Sequence, residues 1–192
     1  MPADRKIAPR SDVQRNRQVL LQAARELFAV GSDVPMYEVA RRAGVGQATL
    51  YRHFPDRAAL AGAIAEELIE DLEELAARSA GRPDAFYVLL RGLVDTAARS
   101  GGLIQVVRED TGGQPQVERL LKRLGAMFAG PLREAKASGT VRADFGADDV
   151  ILVITMVQGA LDEADAGPAP RAAAAGRALD LLLHGIEGRQ VP

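Results

Sequence analysis

The sequence predicts an all-α protein of about nine helices, with a small N-terminal three-helix domain followed by a larger helical domain. Apolar residues recur at the three- and four-residue spacing of amphipathic helices through most of the 192 residues. No segment of convincing length alternates between apolar and polar residues, as half-buried strands do. Breaks that contain glycine or proline divide the helical pattern into separate segments.

The composition excludes several classes of site. The chain has no cysteine, so it has no disulfide, thiolate metal site or cysteine nucleophile. Its two histidines, His53 and His184, stand 131 positions apart, which argues against a multi-histidine metal site within one chain. No run of about 18 apolar residues predicts a membrane span, and the first residues lack the apolar segment of a signal peptide. We therefore expect a cytoplasmic protein that does not enter a membrane.

The charge is unevenly distributed along the chain. Residues 1–60 carry ten Lys or Arg against six Asp or Glu, whereas residues 61–192 carry fourteen against twenty. This asymmetry indicates a basic module joined to an acidic body, although the net charge of the chain is only −2. A basic module suits a polyanionic partner such as a nucleic acid.

Four segments make up the N-terminal part. The first helix is recognised by one apolar stripe, which includes Leu20, Ala24 and Phe28. Glycines and prolines delimit the short helices that follow it. In order, the segments are a flexible arm (1–11), a helix that begins at Asp12 and ends near Gly31, a second helix (37–43) and a third helix (47–54), so that the domain covers residues 12–56.

The remaining residues, 57–192, are predicted to form a helical regulatory and dimerisation domain. Pro131 should kink one of its helices. The apolar run 150–157 is rich in β-branched residues, so a strand is the alternative there. The predicted helices cover residues 57–79, 84–100, 103–107, 116–138, 147–164 and 171–187.

The two short helices 37–43 and 47–54 meet at Ala43-Gly44-Val45-Gly46, as in a helix-turn-helix. Leu50 and Phe54 are one helical turn apart and would anchor the second helix inward. Its other side would then offer groups that read base edges, because Gln suits adenine, Arg suits guanine and the Thr methyl suits thymine. Candidate base-reading residues are Gln47, Thr49, Arg52 and His53, and candidate phosphate contacts are Tyr51, Arg57, Arg41 and Arg42. The alternative is a helical corner whose polar residues are merely solvated.

Residues 16–67 resemble the N-terminal domain of the TetR family of bacterial transcriptional regulators. The most specific part of the match runs from Ala43 to Pro55 and reads Ala-Gly-Val-Gly-x-x-Thr-Leu-Tyr-Arg-His-Phe-Pro. The match also includes Arg17, Leu20, Ala23, Ala24, Leu27, Phe28, Gly31, Val39, Ala40, Asp56, Arg57 and Leu60.

The resemblance implies a homodimer in which each subunit presents one recognition helix to a pseudo-palindromic double-stranded DNA operator. It implies base or phosphate contacts by Gln47, Ala48, Thr49, Tyr51 and His53, and a phosphate contact by Arg57. One departure is Pro35, which stands where the family usually has a capping Ser or Thr and offers no hydroxyl. We expect the contact with the DNA backbone at this position to be either lost or taken over by Tyr37.

The resemblance also implies a small-molecule ligand cavity among the middle helices, and release from the operator when the ligand binds. Most candidates are apolar residues at helical spacing, for which a packed core is the alternative, and a few are polar residues among them. The candidates are Leu68, Leu72, Phe86, Leu90, Leu103, Ile104, Gln105, Val107, Arg108, Met127, Phe128, Met156 and Gln158.

The last two predicted helices carry more apolar residues than one monomer layer needs, which indicates a dimer interface built as a four-helix bundle. Small residues such as Gly159, Ala160, Ala174 and Ala178 would let the helices approach closely. Burial of these faces inside one monomer is the alternative. The predicted interface residues are Ile151, Ile154, Val157, Gln158, Leu161, Ala175, Leu179, Leu182 and Leu183.

Two other functions compete with a regulator. Paired carboxylates, at Glu109-Asp110 or among Asp144, Asp148 and Asp149, could perform acid–base catalysis. No histidine, cysteine or glycine-rich phosphate loop supports them, so we expect no enzyme activity, catalytic residue, metal or cofactor. The remaining alternative is a helical ligand-binding or interaction module without operator binding.

Overall fold

The computed structural model describes residues 9–103, 106–107, 114–162 and 168–186. Those residues form eight helices and no strand, which confirms the all-α prediction. One more helix was predicted at 103–107, and the structure describes only Leu103, Val106 and Val107 of it, which are helical. The eight helices are α1 (Pro9–Phe28), α2 (Met36–Ala43), α3 (Gln47–His53), α4 (Arg57–Ser79), α5 (Ala85–Ser100), α6 (Gln114–Ala137), α7 (Ala147–Asp162) and α8 (Pro168–Ile186).

Four helices (α1, α2, α6 and α8) begin one to three residues earlier than the sequence predicted, and two of them begin at a proline. Helix α1 starts at Pro9 instead of Asp12, and α8 starts at Pro168 instead of residue 171. A helix needs no hydrogen bond from its first N–H groups, so proline fits there without loss. The predicted flexible arm therefore loses residues 9–11 to α1, and residues 1–8 lie outside the described part.

Two segments whose structure the sequence left open, the run 150–157 and the surroundings of Pro131, are both helical. The strand alternative for the run 150–157 is wrong, because the run lies within α7. Helix α6 continues through Pro131, which stands in its C-terminal half. In α7, packing against neighbouring helices outweighs the preference of β-branched residues for strands.

The buried side chains form two cores. The N-terminal core joins α1, α2, α3 and the first half of α4 with Leu103, Val106 and Val107. The C-terminal core joins the second half of α4 with α5, α6, α7 and α8. Helix α4 contributes Leu60 and Ile64 to the first core and Leu72 to the second. Helix α4 thus links the two cores, and α6, which lies mostly in the second core, packs Val117 against the first.

A second link is a backbone contact between the end of α5 and the end of α1. The Gly102 N–H donates a hydrogen bond of 2.8 Å to the Phe28 carbonyl oxygen. A Cβ atom on Gly102 would lie 2.2 Å from the Ser32 nitrogen, so no larger residue fits without movement. The pair Gly101-Gly102 is thus required by the close approach of two backbones.

Helix α4 has a side-chain cap whose loss should be measurable. The Asp56 carboxylate accepts a hydrogen bond of 2.7 Å from the Ala59 N–H. Replacing a capping Asp by Ala removes this bond and leaves the N–H unsatisfied, which usually costs about 1 kcal/mol. We expect Asp56→Ala to lower the free energy of unfolding by about that amount in urea titrations. Asp56→Ser should recover most of the loss, and equal losses for both variants would contradict the capping role.

Candidate nucleic-acid interface

The turn between α2 and α3 has the geometry that the glycine-rich sequence predicted. Gly44 adopts a left-handed conformation, with φ 68° and ψ 27°, which ends α2. The Val45 N–H donates to the Ala40 carbonyl at 3.1 Å, and the Gly44 N–H donates to the Arg41 carbonyl at 3.2 Å. Helix ends of this type commonly use glycine because it carries no Cβ to clash. The chain then passes through extended Gly46 directly into α3.

Helix α3 is held by two buried side chains, as the spacing predicted. Leu50 is completely buried, and Phe54, the residue that ends α3, is 3% exposed. Both belong to the N-terminal core, together with Val39 of α2. Because one side of α3 is anchored in this way, its opposite side is presented to solvent in a defined orientation.

The predicted DNA-contacting residues lie on that outer side or next to it. Arg52 folds back along α3, donating from Nη2 to the Thr49 hydroxyl at 3.3 Å and from Nε to the Ala48 carbonyl at 3.4 Å. The surface offers the hydrogen-bond donors of Arg52 and Tyr51, the amide of Gln47 and the methyl group of Ala48. Exposed members are Tyr37, Gln47, Ala48, Tyr51 and Arg52, and half-buried members are Thr49, His53 and Arg57.

Several cations near this surface already have carboxylate partners. Arg42 donates from Nε to Glu26 of α1 at 3.0 Å, and Arg41 is paired with Glu38. The Arg42 hydrogen bond lowers the pKa of Glu26. Exposed pairs of this kind contribute little stability, so a phosphate can compete for the cation. Sequence reasoning missed Glu26, because a partner 16 residues away leaves no local signal.

Helix α2 starts without a side-chain cap, as expected from Pro35, which replaces the usual Ser or Thr. Pro35 is the N-cap residue of α2 and makes no side-chain hydrogen bond there. Tyr37 stands two residues later in the first turn, and its ring is exposed. A phenolic hydroxyl is therefore accessible near the helix start where the sequence lacks a Ser or Thr hydroxyl.

The candidate ligand-cavity residues do not form one group. Leu72, Phe86, Leu90 and Phe128 lie in the C-terminal core, where the Phe86 and Phe128 rings meet edge to face at 6.0 Å. The rest of the set is placed elsewhere or at the border of that core. Met127 is partly buried against the C-terminal core, whereas Leu68, Leu103 and Val107 belong to the N-terminal core or pack against it. Gln158 is half-buried and Met156 is 46% exposed. Ile104, Gln105 and Arg108 lie outside the described residues.

The predicted interface residues need a correction, because most of the apolar ones face inward. Five of them are buried in the C-terminal core of the chain itself and cannot contact a partner. Of the predicted apolar residues only Ile151 is exposed, and further apolar and small residues are exposed beside it. The buried five are Val157, Leu161, Ala175, Leu179 and Leu183; the half-buried ones are Ile154, Gln158 and Leu182; the exposed ones are Ile151, Leu152, Met156, Gly159 and Ala160 on α7 and Leu181 on α8.

Two of the acidic residues considered for catalysis have structural partners. Asp149 accepts a hydrogen bond of 2.6 Å from the Gly146 N–H at the start of α7, and Asp144 pairs with Arg142 at 3.3 Å. Glu109 and Asp110 lie outside the described residues. Within the described ranges, no three His, Asp or Glu side chains are grouped as a metal site would require. None of the helices described here is long and apolar enough to cross a membrane.

Comparison with known proteins assigns both halves of the chain to families. Residues 20–64 match the family model of bacterial regulatory proteins of the tetR family, and residues 82–188 match the model of the C-terminal domain of SbtR-like transcriptional regulators. The chain is 32% identical over 95 residues to the HTH-type transcriptional regulator SAR0097 of Staphylococcus aureus (strain MRSA252). That match covers 45% of this chain and 50% of the relative, so it spans about half the length of the curated protein.

Two solved structures are similar over nearly the whole chain. The crystal structure of the TetR transcription regulatory protein from Mycobacterium vanbaalenii is 31% identical, with a TM-score of 0.60, over 94% of this chain and 99% of that one. The crystal structure of the TetR transcriptional regulator SCO0520 from Streptomyces coelicolor is 27% identical, also with a TM-score of 0.60, over 90% of this chain and 99% of that one. The similarity therefore extends through both cores.

Proposed function

Since the chain belongs to the TetR family of bacterial regulatory proteins, we propose that it is a homodimeric transcriptional regulator that binds an operator through α3. The observation that carries the proposal is the outer face of α3. Leu50 and Phe54 anchor this helix, and Gln47, Tyr51 and Arg52 are exposed on it. Such a face has the size and chemistry to enter the major groove of DNA. An operator-binding protein works where the bacterial chromosome is, so we infer a cytoplasmic location.

The exposed apolar residues of α7 and α8 support the proposed homodimer. Leu152 and Met156 are one turn apart on α7, and Leu181 on α8 is 60% exposed. Gly159 and Ala160 are exposed further along α7, where small side chains let another helix approach closely. Two copies joined through this face would form a four-helix bundle and present two recognition helices to one operator. Helices that read one side of DNA must stand about 34–36 Å apart.

The C-terminal domain would make operator binding responsive to a small molecule, and repression released by that ligand is the mode we propose. The match of residues 82–188 to a regulator C-terminal domain supports this role. Ligand binding would favour one arrangement of the two recognition helices and DNA another. A coupling of about 1–3 kcal/mol would then weaken operator binding roughly 5–150-fold. The aromatic cluster around Phe86 and Phe128 is the apolar region from which a cavity would open.

The direct test is selection of DNA from a random pool by the purified protein, followed by sequencing. An inverted repeat should be enriched, because a two-fold symmetric dimer reads two equivalent half-sites. Affinity for the selected site should fall as salt rises, since phosphate contacts release counterions. Absence of any enriched repeat, together with salt-independent binding, would support the interaction-module alternative instead.

Two substitutions on α3 should separate base reading from phosphate binding. Gln47→Ala should remove discrimination of about 1–3 kcal/mol at one base pair and leave random-sequence DNA binding unchanged. Tyr51→Ala should weaken binding to all sequences similarly, because a phosphate contact carries no sequence information. Both side chains are exposed, so neither change should unfold the protein. Binding isotherms on the selected site, its single-base variants and random DNA measure the difference. Equal losses for both variants on every DNA would contradict this division of roles.

A further inference from the structure

Two adjacent carboxylates in the middle of α4 are held by different helices. Glu67 accepts hydrogen bonds from two arginines of α1, Arg25 at 2.7 Å and Arg17 at 3.4 Å. Glu66 is paired instead with Arg123 of α6. Since α1 belongs to the N-terminal core and α6 to the C-terminal core, neighbouring positions of α4 connect it to both halves of the protein.

Arg123 is bound to α4 at a second place. Its Nε and Nη2 atoms each donate a hydrogen bond of 2.8 Å to the Glu73 carboxylate, which is the two-pronged arrangement that makes arginine–carboxylate pairs directional. The same bonds lower the pKa of Glu73 and raise that of Arg123. Glu66 and Glu73 are two helical turns apart, so Arg123 binds both ends of an eight-residue stretch of α4.

Arg17 extends these contacts to the end of the recognition helix. Its guanidinium lies 5.7 Å from the centre of the Phe54 ring, within the range of a cation–π contact. Phe54 is the residue that ends α3 and is buried in the N-terminal core. A continuous path therefore runs from α3 through Arg17 to Glu67, along one peptide unit of α4 to Glu66, and on to Arg123 of α6.

Most side chains of these pairs are more shielded from water than those of the ion pair near the C-terminal end of α4. The side chains of Arg25, Arg123, Glu66 and Glu67 are each about one-third exposed, whereas Glu73 is 41% and Arg17 is 46% exposed. The pair of Arg78 and Glu74, on the same helix, is 64% and 72% exposed. Partial burial strengthens an ion pair and raises the cost of leaving one member without its partner. The ion pairs therefore tie the middle of α4 to both α1 and α6.

We propose that Arg17, Glu67, Glu66 and Arg123 form a relay of positioning residues that sets the orientation of α3 relative to the C-terminal domain. The relay rests on the proposed function, because orientation matters only to a protein whose two recognition helices must match one operator. Without Arg123, Glu66 and Glu73 lose their shared cation, and α4 is free to shift against α6. The shift reaches α3 through Glu67 and Arg17, and the separation of the two recognition helices changes.

The test compares Arg123→Gln with Arg78→Gln in the full chain. Both remove one positive charge, but only the first opens the relay. Arg123→Gln should weaken binding to the selected inverted repeat about tenfold, a change within the usual range for coupled sites. Binding to random DNA should stay within about twofold, and an operator with one base pair more or less between its half-sites should regain part of the loss. Arg78→Gln should stay within about twofold of the unchanged protein on every DNA, as exposed pairs contribute little.

Two further variants guard against a merely structural effect. Arg123→Lys keeps the charge without the fork and should lose only part of the affinity. The double variant Arg17→Met with Arg123→Gln should lose about as much as the larger single variant, because both residues lie on one path. Additive losses, unchanged operator affinity in Arg123→Gln, or an equal loss in Arg78→Gln would overturn the relay.

Hydrogen exchange separates failure of the relay from failure of the proposed function. In the absence of DNA, Arg123→Gln should accelerate amide exchange in α1 and at the end of α3, and Arg78→Gln should not. If no operator is selected but exchange accelerates as described, the proposed function is wrong, and the ion pairs still couple α6 to α1 and α3 without serving operator binding. If exchange in α1 and α3 is unchanged, the relay is wrong whatever the protein binds.

Discussion

Gly101→Ala is expected to lower the free energy of unfolding by at least about 2 kcal/mol. Gly101 has φ 48° and ψ −123°, a conformation that residues with a Cβ rarely adopt and that costs about 1–3 kcal/mol. An added Cβ would also lie 2.4 Å from the Phe28 carbonyl oxygen and 2.6 Å from that of Ala29. The contact between the ends of α1 and α5 would have to open. Urea titration should show the loss, and the melting temperature should fall by about 4–8 °C.

Gly125→Ala is the matched control for this prediction. Gly125 lies inside α6, and a Cβ there would meet no atom within 4 Å. Alanine is the better helix former by about 0.5–1 kcal/mol, so this variant should be as stable as the unchanged protein or more so. A stable Gly101→Ala variant would show that the backbone contact between the two cores contributes little.

Leu152→Glu is expected to convert the protein into a monomer and to weaken operator binding at least about a hundredfold. Leu152 is 49% exposed on α7, next to Ile151, which is 37% exposed, and one turn before Met156, which is 46% exposed. A carboxylate buried without a partner in an apolar interface costs several kcal/mol. In a two-fold symmetric dimer the interface contains the substituted residue of both subunits, so this cost arises twice. The monomer itself should remain folded, because the side chain leaves the chain's own core untouched. Sedimentation velocity gives the mass, and circular dichroism gives the helical content.

Leu121→Glu is the control for an exposed leucine outside the proposed dimer face. Leu121 lies on α6 and is 41% exposed. The same change of charge there should leave the mass and the operator affinity of the protein nearly unchanged. Dimers that persist in Leu152→Glu at micromolar concentration would show that the subunits associate through another surface.

The sequence predicted the N-terminal domain closely because its signals are local. Gly44 supplies the left-handed residue that ends α2, and Leu50 and Phe54 are spaced to anchor α3 on one side. Helix α4 runs from Arg57 to Ser79, which are the bounds that the apolar periodicity predicted. Each of these features depends on neighbouring residues and on the preferences of glycine, proline and apolar periodicity. The assignment of individual DNA contacts stays a prediction.

Which side of α7 is buried and which is exposed could not be predicted in the same way. Val150, Leu152, Val153, Met156 and Val157 leave few polar positions to mark the solvent side, so periodicity does not separate two faces. The fold buries Val153 and Val157 against α8 and leaves Leu152 and Met156 outside. The choice depends on which side the neighbouring helices cover.

The sequence by itself determined the helical class, the helix-turn-helix and the helix order, because hydrogen bonding and apolar spacing act over one or two helical turns. Only the tertiary structure decided which residues meet across long separations. The pairing of Arg42 with Glu26, the position of Arg17 over Phe54 and the clamp of Arg123 on α4 all join different helices. Any charged residue on any helix face could have served as a partner until packing brought particular pairs within hydrogen-bonding distance.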